Sequence, residues 1–294
     1  MTISNNIQLI GIDLGGTKVN AGLIRGNNVI ETVSKQVPHD SKNEWDLIHI
    51  IINLIKELIA KYDKVDGIGI GVPSILDREQ GIIHEVQNIP SWQEVPLAKI
   101  LNSEFNIPVY LDNDANCFAL GEYHFGAASK CKNVVGITIG TGLGAGIITN
   151  GHLMSDANGG AGEFGMIPYQ EGILEDYCSG KFFKIFYKAT GEELMVLAEQ
   201  GDLKAIKAFE EFGKHIGNAI KIIMYSVDPK TIIIGGSVAN SSKYFKESLS
   251  KSVGEFPYRK SLENFKIEFS NTPNIALLGA ISLFYDRNGQ SLKK

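Results

Sequence analysis

Apolar residues gather in short runs separated by glycine, and the runs change period along the chain. Ile7 to Ile12 and Val19 to Ile24 read as two strands flanking Gly11-Ile-Asp-Leu-Gly-Gly-Thr-Lys18, and Asn28 to Val37 reads as a third. Trp45, Ile48, Ile51, Ile52, Ile55 and Ile59 recur at helical spacing, so one face of a helix is predicted over Trp45 to Ile59. Val65 to Val72 reads as a buried strand ending in Gly71-Val72-Pro73-Ser74. Pro108 to Leu111 is another, running into Asp112-Asn113-Asp114 and a helical pattern over Ala115 to Tyr123. The opening pattern then restarts: a strand over Val134 to Ile139, a glycine-rich turn over Gly140 to Gly146, a strand over Ile147 to Thr149, and an Asn150-Gly151 hairpin signal. Leu203 to Met224 is the longest helical segment, with Leu203, Ile206, Phe209, Phe212, Ile216, Ile220 and Ile223 on one face and Asp228-Pro229 closing it. Thr231 to Ile234 is a buried strand leading to Gly235-Gly236-Ser237, and Asn274 to Tyr285 is a last helix. The pattern describes an α/β chain with two related halves.

The glycine turns carry the first chemistry. Gly15 and Gly16 allow backbone N–H groups to approach an anion, and Thr17 and Lys18 add a hydroxyl and a positive charge. An ordinary glycine hairpin would account for the glycines but not for Asp13 and Lys18 beside them. The Walker A order is absent, and a strand pattern follows where that loop would open a helix. Gly140-x-Gly142-x-x-Ala145 also fits a relaxed dinucleotide fingerprint, but that motif needs a helix after its turn, whereas Gly146 to Gly151 reads as strand and hairpin. Polar residues at the carboxyl ends of strands are candidate ligands in α/β chains, which singles out Ser74 and the Asp112 to Asp114 run.

Composition narrows the picture. At 294 residues and 44% hydrophobic content the chain can bury a large core and form two domains. A polar N-terminus over Met1 to Gln8, and the lack of any run near 18 apolar residues, lead to the expectation of a cytoplasmic protein without membrane contact. Cys117, Cys131 and Cys178 form no C-x-x-C pair and read as buried thiols. A net charge of −5 with scattered Lys and Arg gives no footprint for nucleic acid. With no low-complexity linker, the domains are expected at 1–111 and 112–274, joined by a tight hinge, with a C-terminal helix at about 275–294 packing back on the first.

Together, Asp13-x-Gly15-Gly16-Thr17-Lys18, Asn113-Asp114, Gly140-Thr141-Gly142-x-Gly144, Ala161-Gly162-Glu163-x-Gly165 and Gly235-Gly236 resemble the ROK family of sugar kinases and related repressors. The resemblance runs from about Gly11 to Gly279. It implies the two-domain actin/hexokinase-like (ribonuclease H-like) α/β fold with an interdomain cleft, a homodimer, and the cofactors ATP and Mg²⁺.

Residue by residue, the resemblance makes Asp114 the catalytic aspartate, which accepts the proton of the attacking sugar hydroxyl. An aspartate is a weak base, but phosphoryl transfer has a loose transition state, so orienting the hydroxyl matters more than basic strength. A plain helix N-cap is the alternative for any of Asp112, Asn113 and Asp114. Asp13 is implied to hold Mg²⁺ through water. Gly15, Gly16, Thr17, Lys18, Thr141 and Gly142 are implied to grip the phosphates, and Gly235 and Gly236 to admit the adenosine. Ser74, Asn113, Asp114, Glu163, Met166 and Glu175 are implied to contact the sugar. Glu163 also reads simply as a carboxylate in a glycine-rich loop, and Glu175 as an acid in a first helical turn.

Two departures stand out. Met166 occupies the place of a histidine that in most members touches the sugar and binds zinc with three cysteines, whereas the stretch Met166 to Cys178 holds one cysteine and no histidine. No structural zinc is therefore expected, and Ile167, Tyr169 and Leu174 are expected to hold this loop by packing. Ser74 replaces a glycine. The expected activity is phosphorylation of the 6-hydroxyl of a hexose or N-acetylhexosamine. Zinc-motif loss with a retained aspartate resembles some N-acetylmannosamine kinases and points to that substrate before glucose. A sugar-responsive repressor would need a helix-turn-helix ahead of the first strand, which begins by about Ile7 and leaves no room for one. A non-catalytic sugar-binding protein is the third reading.

Overall fold

In the computed structural model, which describes residues 7–287 apart from His39, Asp63, Glu85, Gln87, Asn88 and Lys130, the first two apolar runs pair as an antiparallel hairpin. By contacts the chain divides into two compact units. The first takes the described residues up to Ser129, His152–Ala161 and those from Thr272 on; the second takes those between, up to Gly151, and Gly162–Asn271.

In the first unit β1 (Gln8–Leu14) and β2 (Lys18–Arg25) form that hairpin, with Asp13 opposite Asn20. β3 (Asn28–Gln36) extends it antiparallel, while β4 (Gly67–Val72) and then β8 (Val109–Asn113) add parallel on the other side, giving the order β3-β2-β1-β4-β8. α1 (Glu44–Ile59) begins at Asn43, whose side chain accepts the Trp45 N–H at 3.2 Å. Its buried face is Leu47, Ile48, Ile51, Ile52, Leu54, Ile55 and Leu58. Trp45, expected on that face, is 41% exposed and rests against the His49 ring. The leucines at 47, 54 and 58 swing the face round, leaving Trp45, Ile52 and Ile59 along its edge.

Around this sheet lie a small antiparallel sheet of β5 (Ile75–Asp77), β6 (Ile82–His84) and β7 (Glu94–Val95) and the helix α2 (Leu97–Phe105); the short β11 (His152–Leu153) is a strand of neither of these two sheets. α3 (Asp114–Phe125) follows β8 directly and packs against α9 (Ile275–Arg287) within the same unit, so the boundary read near Leu111 runs through β8. α9 lies directly on β4, because a Cβ on Gly69 would overlap the carbonyl oxygen of Ala280. Residues 288–294 of the C-terminal helix read from sequence lie outside the described residues.

The second unit repeats the plan. β9 (Val134–Ile139) and β10 (Leu143–Thr149) are antiparallel, and β14 (Thr231–Gly235) and β15 (Lys266–Phe269) add parallel on the β9 side. β10 starts at Leu143, four residues before the expected Ile147. Gly144 and Gly146 are extended ladder residues opposite Thr138 and Gly136, so the glycine run read wholly as turn is mostly strand. The sequence segment that would open a helix in a dinucleotide fold is thus β10.

The hairpin of β12 (Pro168–Tyr169) and β13 (Gly172–Ile173) leads into α4 (Leu174–Cys178) and α5 (Gly191–Glu199). α6 (Leu203–Val227) is the core helix, ending where Asp228 adopts a left-handed φ of 40°. Its expected face holds from Phe209 to Ile223, but Leu203, in the first turn beyond the packed stretch, is 80% exposed. α7 (Ser242–Gly254) packs on α6, and α8 (Arg259–Asn264) precedes β15. Cys117 and Cys178 are buried thiols; Cys131, expected buried, is half-buried, its Sγ 3.3 Å from Thr231 Oγ1. Among the described residues no helix is long and apolar enough to cross a membrane.

Candidate functional site

Asp13 stands at the end of β1, where the strand delivers it to the β1–β2 turn, and Asn20 Nδ2 donates to its Oδ2 at 3.4 Å. Burial raises the Asp13 pKa against that hydrogen bond, so its charged form is under-solvated. Gly15, Gly16, Thr17 and Lys18 form one turn, closed by the Gly15 N–H donating to the Lys18 carbonyl at 3.0 Å, with Thr17 and Lys18 exposed. Neither Gly15 nor Gly16 is among the left-handed residues; what glycine supplies here is space, since a Cβ on Gly15 would sit 3.2 Å from that same carbonyl.

The carboxyl ends of β4 and β8 bring Ser74, Asn113 and Asp114 together in the first unit. Val72 is opposite Asn113 in the ladder, and Asn113 Nδ2 donates to the Ser74 carbonyl at 3.3 Å. Asn113 is the cap of α3: its Oδ1 accepts the Ala115 N–H at 2.9 Å, and Asp114 Oδ1 accepts the same N–H at 2.9 Å. Of the three residues that could cap the helix, Asn113 is the one that does. Ser74 is buried, and its hydroxyl is directed at the carbonyl oxygens of His84 and Ile75, pinning the β5–β6 hairpin.

In the second unit, Thr141 and Gly142 occupy the β9–β10 turn, closed by the Gly140 N–H donating to the Gly142 carbonyl at 3.0 Å. Glu175, in the first turn of α4, reaches that turn: its Oε2 accepts the Leu143 N–H at 2.9 Å and lies where a Cβ on Gly142 would come within 2.6 Å. Lys181 donates to Glu175 Oε1 at 2.6 Å, and the Gly180 N–H donates to the Gly140 carbonyl at 2.7 Å. Glu175 is read from sequence as a sugar contact; the structure places it as a buttress of the β9–β10 turn. Lys181 was missed altogether, and a lone lysine after Ser-Gly carries no signal that could have found it.

Glu163 precedes the short turn Phe164–Met166, and its pKa is raised by the surrounding protein and by the charge of Glu175. Met166 is 58% exposed. The loop after it is held as packing predicts: Leu174 is buried in the core with Ile167 and Tyr169 against it. The structure adds a polar latch, because Tyr169 Oη lies 3.0 Å from His215 Nδ1 and accepts from Asn218 Nδ2 at 2.8 Å, both on α6. Among the described residues no three His, Cys, Asp or Glu are grouped to hold a metal ion. Gly235 closes β14 and Gly236 follows with φ 87°; a Cβ there would overlap the Ile139 carbonyl, so β14 passes the end of β9 at backbone contact.

The chain matches the profile of the ROK family over residues 9–287. It is 28% identical to the glucokinase of Thermotoga maritima, with 96% of this chain and 99% of that protein covered. It is 29% identical to the xylose repressor of Caldicellulosiruptor bescii, covering 94% of this chain and 77% of the repressor. Among solved structures, a ROK family glucokinase from Streptomyces griseus in complex with glucose and AMPPNP superposes with a TM-score of 0.76 at 26% identity, covering 94% of this chain and 98% of that one.

Proposed function

The chain belongs to the ROK family, and from that premise we propose that it is an ATP-dependent kinase for the 6-hydroxyl of a hexose or N-acetylhexosamine, N-acetylmannosamine before glucose. The observation that carries the reading is the Asn113–Asp114 turn at the carboxyl end of β8, with Asn113 as the helix cap and Asp114 as the first helical residue. Asp114 aims the sugar hydroxyl at the γ-phosphorus and takes its proton as the bond to phosphorus forms and the β,γ-bridging bond breaks. Asn113, Glu163 and Glu175 hydrogen-bond the other hydroxyls, and Ser74 acts through its backbone carbonyl. A site built this way rejects sugars that leave those groups unpaired. Met166 puts a thioether at the sugar and supports an acetamido substrate.

Asp13 fits a Mg²⁺ ion held through water: a half-buried carboxylate with a single hydrogen-bond partner has acceptor capacity left over and a charge that a cation would satisfy. When bound, Mg²⁺ neutralises charge on the β- and γ-phosphates. The backbone N–H groups of the two hairpin turns, with Lys18, hold those phosphates.

Purified protein given ATP, Mg²⁺ and a panel of hexoses and N-acetylhexosamines should release ADP, fastest with N-acetylmannosamine. No ADP above background on any sugar refutes the kinase. The likeness to a xylose repressor favours a second reading, a sugar-responsive regulator, which the same panel would reveal as sugar binding by calorimetry without turnover.

A further inference from the structure

Arg78 lies in the turn between β5 and β6, in the run Asp77-Arg78-Glu79-Gln80-Gly81. Its side chain is 12% exposed and faces two acids. Nε is 3.1 Å from both carboxylate oxygens of Asp112, and Nη1 is 2.8 Å from Asp156 Oδ1 and 3.5 Å from the Met154 carbonyl. Asp112 is fully buried; its Oδ1 also accepts the Asn113 N–H and Asn116 Nδ2, each at 2.8 Å, and Arg287 Nη2 lies 3.6 Å from its Oδ2. Asp156 in turn accepts the backbone N–H groups of Gly159 at 3.2 Å and Ala161 at 2.9 Å.

Burial pushes the Asp112 carboxyl above its usual range, and the Arg78 guanidinium beside it is the strongest influence opposing that shift. Held by Arg78, Asp112 is the fixed point on which the Asn113 N–H hangs, and Asn113 in turn caps α3 ahead of Asp114. The geometry points to Arg78 as a positioning residue: through Asp112 it sets the Asn113–Asp114 turn, and through Asp156 it binds the 154–161 segment to the same guanidinium. Its catalytic consequence rests on the kinase reading. A lysine keeps the charge but has one nitrogen where two acids need a planar fork, so it should not substitute.

The test compares R78A and R78K with wild type, R78K covering the case in which R78A does not fold. Three readouts are taken: kcat and KM for sugar and ATP, amide exchange at Asn113 and Ala115, and the melting temperature. A misplaced acceptor turn should lower kcat about 10- to 100-fold, with KM for ATP held within about twofold. Exchange at the two amides should quicken, and millimolar guanidinium ion should restore part of the R78A rate. In an active enzyme, wild-type kcat, or a lowered kcat with unchanged exchange, overturns the inference. So does a loss in both variants that follows only the melting temperature and resists guanidinium. If wild type turns over no sugar, the kinase reading falls and exchange decides the clamp alone: unchanged exchange overturns it and faster exchange upholds it.

Discussion

Gly11-Ile12-Asp13-Leu14-Gly15 ends β1 and Gly136-Ile137-Thr138-Ile139-Gly140 ends β9, and both lead into a hairpin closed by a backbone hydrogen bond of 3.0 Å. The sheets behind them correspond, β2-β1-β4-β8 in one unit and β10-β9-β14-β15 in the other, with an antiparallel pair followed by two parallel additions. The side chains differ in kind. The first hairpin carries an acid and a lysine and takes a backbone bond from the Val37 N–H to the Thr17 carbonyl at 2.9 Å, while the second is neutral and is propped by the Glu175 side chain and the Gly180 N–H. The strand ends differ too: β8 finishes in Asn113 before Asp114, whereas β15 finishes in Phe269 before Ser270. One backbone plan thus ends in two different sets of side chains, and only the first unit carries the Asn113–Asp114 turn.

Changing Asp114 should break that asymmetry most sharply. D114N keeps an acceptor oxygen for the Ala115 N–H but loses the base, so kcat should fall by about 10²- to 10⁴-fold while sugar affinity by calorimetry stays within a few-fold. A D114N protein with wild-type turnover would mean that the acceptor turn of β8 is no more catalytic than its counterpart.

Next in size is the contrast between the third strands. Gly236, after β14, combines a left-handed φ with a Cβ position that overlaps the Ile139 carbonyl, so G236A should cost about 2–4 kcal/mol in urea unfolding and raise KM for ATP. Gly71, near the end of β4, is extended, and a Cβ there would meet Cys117 Sγ at 3.3 Å, so G71A should cost about 1 kcal/mol. Equal losses would show that the two strand ends obey the same packing rule, against the geometry.

The same contrast explains what could be read without coordinates. β1, β2, β4, β9 and β14 were legible because each is a short, mostly apolar run with glycine or proline close behind it, and α6 because eleven buried positions keep one period. α7 was not, since Ser-Lys-Tyr-Phe-Lys-Glu-Ser-Leu shows too few apolar residues to announce a helix that buries only Phe245, Leu249, Ser252 and Val253. The first residues of β10 were hidden because glycine reads as turn whether or not a partner strand holds it extended. At the site, motif order singled out Asp13, Asn113, Asp114 and Glu163, but Arg78 meets its partners 34 and 78 residues away, and no local period records an ion pair of that span. Glu175 is singled out by motif order for a sugar contact, whereas its bonds to the Leu143 N–H and Lys181 are ones that spacing alone cannot reveal.

The smallest expected effect sharpens the comparison between Asp13 and Thr138. Burial raises the Asp13 pKa, and a carboxyl raised in the fold favours folding while protonated, below its unfolded value of about 3.9, and loses that contribution as pH climbs through the folded value. At neutral pH the charge on Asp13 therefore works against the empty fold, a cost that the neutral Thr138 never incurs. D13N should raise stability at pH 7 by about 1 kcal/mol or less, and the gain should vanish below pH about 4, where wild type is itself protonated. Addition of Mg²⁺ and ATP should reverse the order, because a cation near Asp13 stabilises wild type by mass action and D13N has no charge to offer it. Thermal unfolding at pH 4 and pH 7, with and without Mg²⁺ and ATP, reads all of this. A D13N gain of equal size at both pH values would remove the charge argument, and an unchanged order on adding Mg²⁺ and ATP would take Asp13 out of the nucleotide half.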